Sequence, residues 1–540
     1  MITGQKERAL RALKRDARSR VRFAALGMIS ALSASQPARA EWLEAQSPHF
    51  VIYADASPKT ITRASEQLER YHAALELMIG TTGSVPSPSN RVTVFVVRNA
   101  SAVQRLMGPK AQNVAGFYQS RAARSAAFVP RLESDADGDD WSLVVLRHEY
   151  AHHFLISNFS QAQPLWMGEG AAEFFASARN RSDGGLDIGL AAQHRAYGLV
   201  AGNKVPVIAL LDPDRNAAEL KTNGDAFYGR SWLLYHYLNF GAGRAGQLPK
   251  YAELLGSGAT QLNAGKAAFG DFRKLDRDLD AYLMRSRLTM ISLPAEKLRV
   301  TAPTIRPLRS GEAAVMPLHI QSRRGVSPDQ AKALLLQIRP LAARFPGDPA
   351  VQVALAEAEN DAGNHDAAVK AATAALILDP RSADAHLEKA RGLHSAARAL
   401  QTAVGSARDT AFVAARDAYI ALNRLENDHP VPLFALAQIQ MERGRPLSPN
   451  MLLAMERAVE VAPFDDGMRL SAGLALLKVG QSDRARKILQ PLTFNPHDEK
   501  STERVRAILA RMAKEPDWNG DGAIVDDGPD DGPGSTDASR

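Results

Sequence analysis

Two kinds of pattern divide the sequence, and together they predict an α+β domain followed by an all-α helical solenoid. Over residues 41–290, short β-branched runs alternate with segments of helical spacing. Over 327–512, Ala/Leu-rich segments recur with a period of about 34 residues. A third observation sets the frame: a basic leader (1–40), a Pro-containing segment (291–326) that reads as a linker or a small β element, and an acidic tail (513–540) flank or separate these regions.

The α+β prediction rests on several runs. His49–Tyr53 and Val92–Val97 are rich in β-formers, and the second is bounded by Pro/Ser before and Asn99 after. Thr60–Ile79 places Ala64, Leu68, Tyr71, Leu75 and Met78 on one helical face. Gly116–Tyr118 and Ala126–Val129 read as two further strands joined by a basic turn at Arg121 and Arg124. An acidic loop, Asp135–Asp140, offers an N-cap for a helix over Trp141–Ser157. A second helix begins near Leu165, and a later one over Asp225–Phe240 is rich in aromatics.

In the repeat region, Leu355, Ala356, Gly363, Ala368, Ala372, Ala375 and Pro380 stand at offsets that resemble a tetratricopeptide (TPR) repeat. Small residues there let paired helices approach closely, and the glycine makes the turn. Ala472, Gly473, Gly480, Ala485 and Leu489 repeat the pattern, and Pro430, Pro463 and Pro496 are spaced 33 apart. The interval from Pro380 to Pro430 is 50, which predicts an insertion around Ser395–Asp409. A generic helical bundle is the plainer alternative.

Composition narrows the function classes. The formal charge is +7, but the first 40 residues alone carry nine Lys/Arg against two acids, so the remainder is neutral. No basic stripe with interleaved aromatics appears, so nucleic acid is not an expected partner. The chain has no cysteine, which excludes a disulfide framework and thiolate-bound zinc. In the leader, a basic segment from Lys6 to Arg22 precedes an uncharged run, Phe23–Ser35, and Ala38-Arg39-Ala40 fits small-x-small cleavage. The reading is a signal peptide cut after Ala40, giving a periplasmic or secreted protein with no permanent transmembrane helix. In the tail, Asp517–Ile524 matches half of a calcium loop, but Gly528 stands where the twelfth-position glutamate belongs, so a disordered acidic tail is the better reading.

The chemistry is concentrated in His148-Glu149-Tyr150-Ala151-His152 and the following Trp166-Met167-Gly168-Glu169-Gly170. On a helix, His148 and His152 share one face, and two imidazoles one turn apart can grip one zinc ion. Glu149 can take a proton from a metal-bound water, and Glu169 would be the third ligand. Charged groups on an otherwise apolar helix need partners, which a metal would supply. His153 points away from His152 and is expected to be structural.

These residues resemble the gluzincin metallopeptidases, particularly the compact peptidase MA-like group, which follows His-Glu-x-x-His with Trp-x-x-Glu-Gly-x-Ala. The resemblance covers roughly 41–288 and includes Ser47-Pro-His-Phe50 and Tyr228-Gly-Arg-Ser-Trp232. It implies a zincin-like fold, Zn2+ on His148, His152 and Glu169, and Glu149 as general base. It further implies that Glu173, one turn after Glu169, orients a zinc histidine, and that Tyr228 supplies an oxyanion-stabilising hydroxyl; a core aromatic is the plainer alternative for Tyr228. The Gly-x-Met-Glu-Asn segment of the clan's aminopeptidases is absent, which favours an endopeptidase acting on protein or peptide substrates. Ala126–Val129 is the expected edge strand for an extended substrate, and the repeats are expected to bind protein partners. The competing reading is a catalytically inactive TPR scaffold or envelope assembly factor.

Overall fold

The computed structural model describes residues 42–81, 83, 85–108, 116–130, 141–159, 163–212, 224–400, 406–494 and 499–523. The leader, the acidic loop 131–140 with its expected helix cap, and 524–540 lie outside the described residues.

Strands β1 (Trp42–Gln46), β2 (Phe50–Asp55), β3 (Val92–Val97), β4 (Phe117–Gln119), β5 (Ala126–Pro130) and β9 (Thr304–Pro307) form one mixed sheet in the order β4-β5-β3-β2-β1-β9. The inner strands β2, β3 and β5 run parallel, and the outer pairings are antiparallel. Side chains alternate across the pleat, which splits the sheet into two buried faces. Val94, Ala127 and Val129 join the main core, whereas Phe95, Ala126 and Phe128 face a second cluster.

On the first face lie α1 (Pro58–Ile79) and α3 (Trp141–Asn158); the short α2 (Ala100–Met107) covers the second. Ser57 caps α1, and Gly80 ends it in the left-handed region at φ 73°. The Tyr71 hydroxyl of α1 donates to the Arg147 carbonyl of α3 at 3.0 Å and ties the two helices together. Helix α4 (Leu165–Ala176) follows. A small sheet of β6 (Arg179–Asn180), β7 (Leu186–Ile188) and β8 (Ile291–Leu293) brackets the one-turn helices α5 (Ala196–Val200) and α6 (Val207–Leu211) and the longer α7 (Gly224–Phe240), α8 (Gln247–Gly256), α9 (Gln261–Phe269) and α10 (Phe272–Leu283).

Helices then continue as α11 (Ser310–Arg324), α12 (Pro328–Arg344), α13 (Pro349–Asp361), α14 (His365–Leu378), α15 (Ala383–Ala399), α16 (Ser406–Leu425), α17 (Pro430–Glu442), α18 (Pro449–Val461), α19 (Asp466–Lys478), α20 (Ser482–Leu489) and α21 (Glu499–Lys514). Each helix packs on the next, which is the nearest-neighbour architecture of a helical solenoid. Where α13 and α14 have 13 and 14 residues, α15 and α16 have 17 and 20. The expected insertion therefore lengthens two helices instead of forming only a loop.

Two expectations are sharpened. Of the two readings open for residues 291–326, a linker or a small β element, the strands are present and a helix follows them. β8 closes the small sheet, β9 pairs with β1, and α11 places Met316 and Ile320 against Phe95 and Phe128. The tail is ordered as far as it is described: Trp518 packs on the last repeat core, lies under Arg511 at 4.3 Å, and donates its indole N–H to the Asp521 carbonyl.

Candidate metal centre

Helix α3 carries an unusually broad apolar surface, with Val144, Val145, Leu146, Ala151, Phe154 and Leu155 all buried. This surface sinks the helix into the core, so its polar residues must find partners inside the protein. Helix α4 is held beside it by Trp166, which is fully buried and donates to the Tyr251 hydroxyl at 3.3 Å. Gly170 lets α4 approach α7 closely: a Cβ there would lie 2.4 Å from the Ser231 carbonyl oxygen.

This packing brings three donor groups together. Nε2 of His148 and Nε2 of His152 stand 3.1 Å apart, and each is 3.3 Å from Oε2 of Glu169. Two donors bound to a tetrahedral zinc at roughly 2.0–2.1 Å lie about 3.3–3.4 Å from one another, so the triangle has the dimensions of such a site. Among the described residues this is the His/Cys/Asp/Glu group whose donor atoms converge. Glu169 is fully buried, and its second oxygen, Oε1, has no hydrogen-bond partner. An orphaned carboxylate oxygen beside two imidazoles fits a cation that accepts nitrogen and oxygen ligands.

Electrostatics point the same way. Burial opposes ionisation of Glu169, but the neighbouring His152 and His148 outweigh it and hold the carboxyl below its usual range. Burial likewise opposes the His148 imidazolium, yet Glu173 and Glu169 together raise its pKa to about 10. In the metal-free protein, the carboxylates thus attract positive charge strongly enough to overcome desolvation.

Glu173, one turn beyond Glu169 and also fully buried, sits with Oε1 3.3 Å from Nδ1 of His148. The same oxygen accepts two hydrogen bonds from Arg195, at 3.0 and 2.7 Å, and Oε2 meets Nε2 of His194. Arg195 also reaches Asp225 at 3.1 Å and covers the Tyr228 ring at 4.6 Å. Burial raises the Glu173 pKa, but Arg195 and His148 outweigh it and hold the carboxyl well below the usual range. His194 and Arg195 were not singled out in the sequence. They lie in a 3-10 turn about 20 residues after Glu173, with no periodicity to mark them.

Glu149 is half-buried on α3, the helix that packs against the outer strand β4. Tyr228 stands with its ring edge-on to His148 at 6.2 Å. His153 bonds the Tyr118 hydroxyl at 2.6 Å and packs on Phe464 of the α18–α19 connection at 4.3 Å. One expectation is overturned: Ala126–Val129 is not an edge, because β5 is paired on both sides by β3 and β4. The outer strand at this end is Phe117–Gln119.

No protein-family model matches the chain, and no curated protein matches it. Among solved structures, the chain is similar to TTC0263, described as a thermophilic TPR protein of Thermus thermophilus. The two share 15% identity over 34% of this chain and 92% of that one, with a TM-score of 0.29. Two crystal structures of MamA also align, each at 16% identity. They cover 34% and 38% of this chain and 91% and 95% of theirs, with TM-scores of 0.24 and 0.26. At that level of superposition the likenesses carry no weight for function.

Proposed function

We propose that the chain is a zinc-dependent endopeptidase, exported by its leader, with a TPR-like array attached to a zincin-like domain. The observation that carries this reading is the 3.1–3.3 Å triangle of His148 Nε2, His152 Nε2 and Glu169 Oε2, with the second Glu169 oxygen, Oε1, left without a hydrogen-bond partner. These three residues would hold the ion, and the ion, when bound, supplies Lewis acidity towards a carbonyl and makes a water acidic near neutral pH.

The remaining work falls to the chain's own side chains. Glu149, next to His148 on α3 and half-buried, is the residue we assign to accept a proton from an attacking water and to return it to the leaving amine. Glu173 accepts from Nδ1–H of His148, which leaves Nε2 unprotonated and turned towards the ligand triangle. Arg195 fixes Glu173 for that role. Tyr228 is adjacent and is the residue we assign to steadying charge on the substrate oxygen. An extended peptide would run along the outer strand β4.

The leader's basic segment and Ala38-Arg39-Ala40 support a periplasmic or secreted location. No helix among the described residues is long and apolar enough to cross a membrane. The test is cleavage of an unfolded model protein by the purified chain with and without Glu149→Gln. Zinc-dependent hydrolysis abolished by that substitution supports the proposal. Full biological activity of the Glu149→Gln chain would instead establish the other reading, an inactive TPR scaffold or envelope assembly factor.

A further inference from the structure

The helical array does not project away from the α+β domain; it closes on the turn between β4 and β5. Arg124, at that turn, bonds Glu357 of α13 at 3.0 Å and also meets Glu388 of α15. Both carboxylates are essentially buried, at 2% and 0% exposure, and Arg124 adds its charge to what the array itself supplies, Arg323 and His319 beside Glu357 and Arg391 beside Glu388. These are first helices of successive pairs, so the two acids stand on one face of the array. The connection between α18 and α19 holds the same turn: Asp465 accepts from the Ala122 N–H at 2.8 Å, and Ala122 packs with Ala462 and Phe464.

The neighbouring connection before β3 is gripped as well. The Ser89 N–H and hydroxyl both donate to Glu426, at 3.0 and 2.8 Å. Buried Asn90 donates to the Val461 carbonyl and accepts from the Ala123 N–H, so it links the array to the turn. Ala123 has φ 59°, a left-handed conformation that a residue with a Cβ rarely adopts. Such a conformation persists where the surroundings over-determine it, and here Asn90 holds the Ala123 N–H, Asp465 holds the Ala122 N–H and the Arg121 carbonyl accepts from the Arg124 N–H.

We propose that one face of the array is a receptor for an arginine-bearing turn, and that its resident ligand is the chain's own β4–β5 turn. Glu357 and Glu388 recognise the guanidinium, and through this grip the array sets the position of edge strand β4. The acidic face is therefore filled from within and is not the surface offered to protein clients. This inference is independent of any metal, since no residue of the grip belongs to the ligand triangle.

The test uses the full-length chain, with amide hydrogen exchange read over 117–130 and over α13 and α15. Arg124→Ala is expected to speed exchange in both regions together by about tenfold or more. Glu388→Gln is expected to do the same from the array side, and the double variant to be no faster than the worse single. Should Arg124→Ala not fold, Arg124→Lys keeps the charge and loses the two-pronged geometry, and a smaller acceleration in both regions is expected. Exchange over 117–130 within about twofold of the parent in the folded variant, or additive effects of the two substitutions, overturns the proposal.

Discussion

Substituting Gly170 by alanine perturbs the candidate site without touching a donor atom. A Cβ there would lie 2.4 Å from the Ser231 carbonyl oxygen, 2.8 Å from its carbonyl carbon and 3.0 Å from Tyr235 Cβ. Ordinary contact begins at 3.4 Å, and two of these neighbours are backbone atoms that no rotamer change can move. Helices α4 and α7 must therefore part by about 1 Å. Overpacking of this kind costs about 1–3 kcal/mol, and the better helix propensity of alanine returns about 1 kcal/mol, leaving a net loss of up to about 2 kcal/mol. The same shift carries Glu169, the preceding residue, away from its 3.3 Å separations from the two imidazoles. Donor sets tolerate displacements of only about 0.5 Å. Zinc affinity is expected to fall about 10–100-fold, as when a supporting partner of a ligand is lost. Competition against a chromophoric chelator measures the affinity, and denaturant unfolding of the metal-free chain measures the stability. Unchanged affinity, or the gain of about 1 kcal/mol seen for an unhindered Gly→Ala change, would refute the reasoning.

Three further outcomes are expected. Glu149→Gln lowers hydrolysis about 10²–10⁴-fold while leaving zinc content and unfolding midpoint unchanged; a parallel loss of metal would assign Glu149 a structural role. Glu173→Ala takes from buried Arg195 the carboxylate that accepts two of its hydrogen bonds and costs about 3–5 kcal/mol, part of which Arg195→Met recovers; additive penalties in denaturant melts would show the two residues to be independent. His72 is held at a pKa of about 3, first by burial and then by repulsion from His49, so below about pH 6.5 the unfolded chain binds a proton that the folded chain refuses. Stability then falls on acidification, by about 2 kcal/mol at pH 5. His72→Asn, which keeps a partner for the Tyr150 hydroxyl, should flatten that slope, and identical slopes in stability-versus-pH curves would count against the assignment.

Legibility in the sequence followed the range of the interactions. His148 and His152 are four residues apart on a helix with a clear apolar surface, and Glu173 lies one turn after Glu169, so local periodicity alone placed each pair on one face. The convergence of α3 and α4 followed from a short connection and a shared core. Arg195 and His194 left no such trace, because their partner Glu173 is more than 20 positions away and they sit in an irregular turn. β9 and α11 lie in a segment that reads as a linker or a small β element because a four-residue edge strand bounded by proline carries little pattern. The edge strand itself was misplaced, since three-residue β4 is outweighed in the sequence by the stronger Ala126–Val129 run, and strand order is not a local property. Least legible of all was the closure of the array on Arg124, whose carboxylate partners lie 233 and 264 positions further along the chain.

The central claim is that His148, His152 and Glu169 form a zinc centre. Zinc K-edge absorption of the full-length chain, alongside metal analysis of the His148→Ala, His152→Ala and Glu169→Ala variants, tests it most directly. The account predicts about one zinc per chain, bound by two imidazole nitrogens and oxygen donors at roughly 2.0–2.1 Å, and lost or sharply weakened in each variant. Stoichiometric zinc that persists in all three variants, or a parent chain that takes up no zinc at micromolar concentrations, would contradict it.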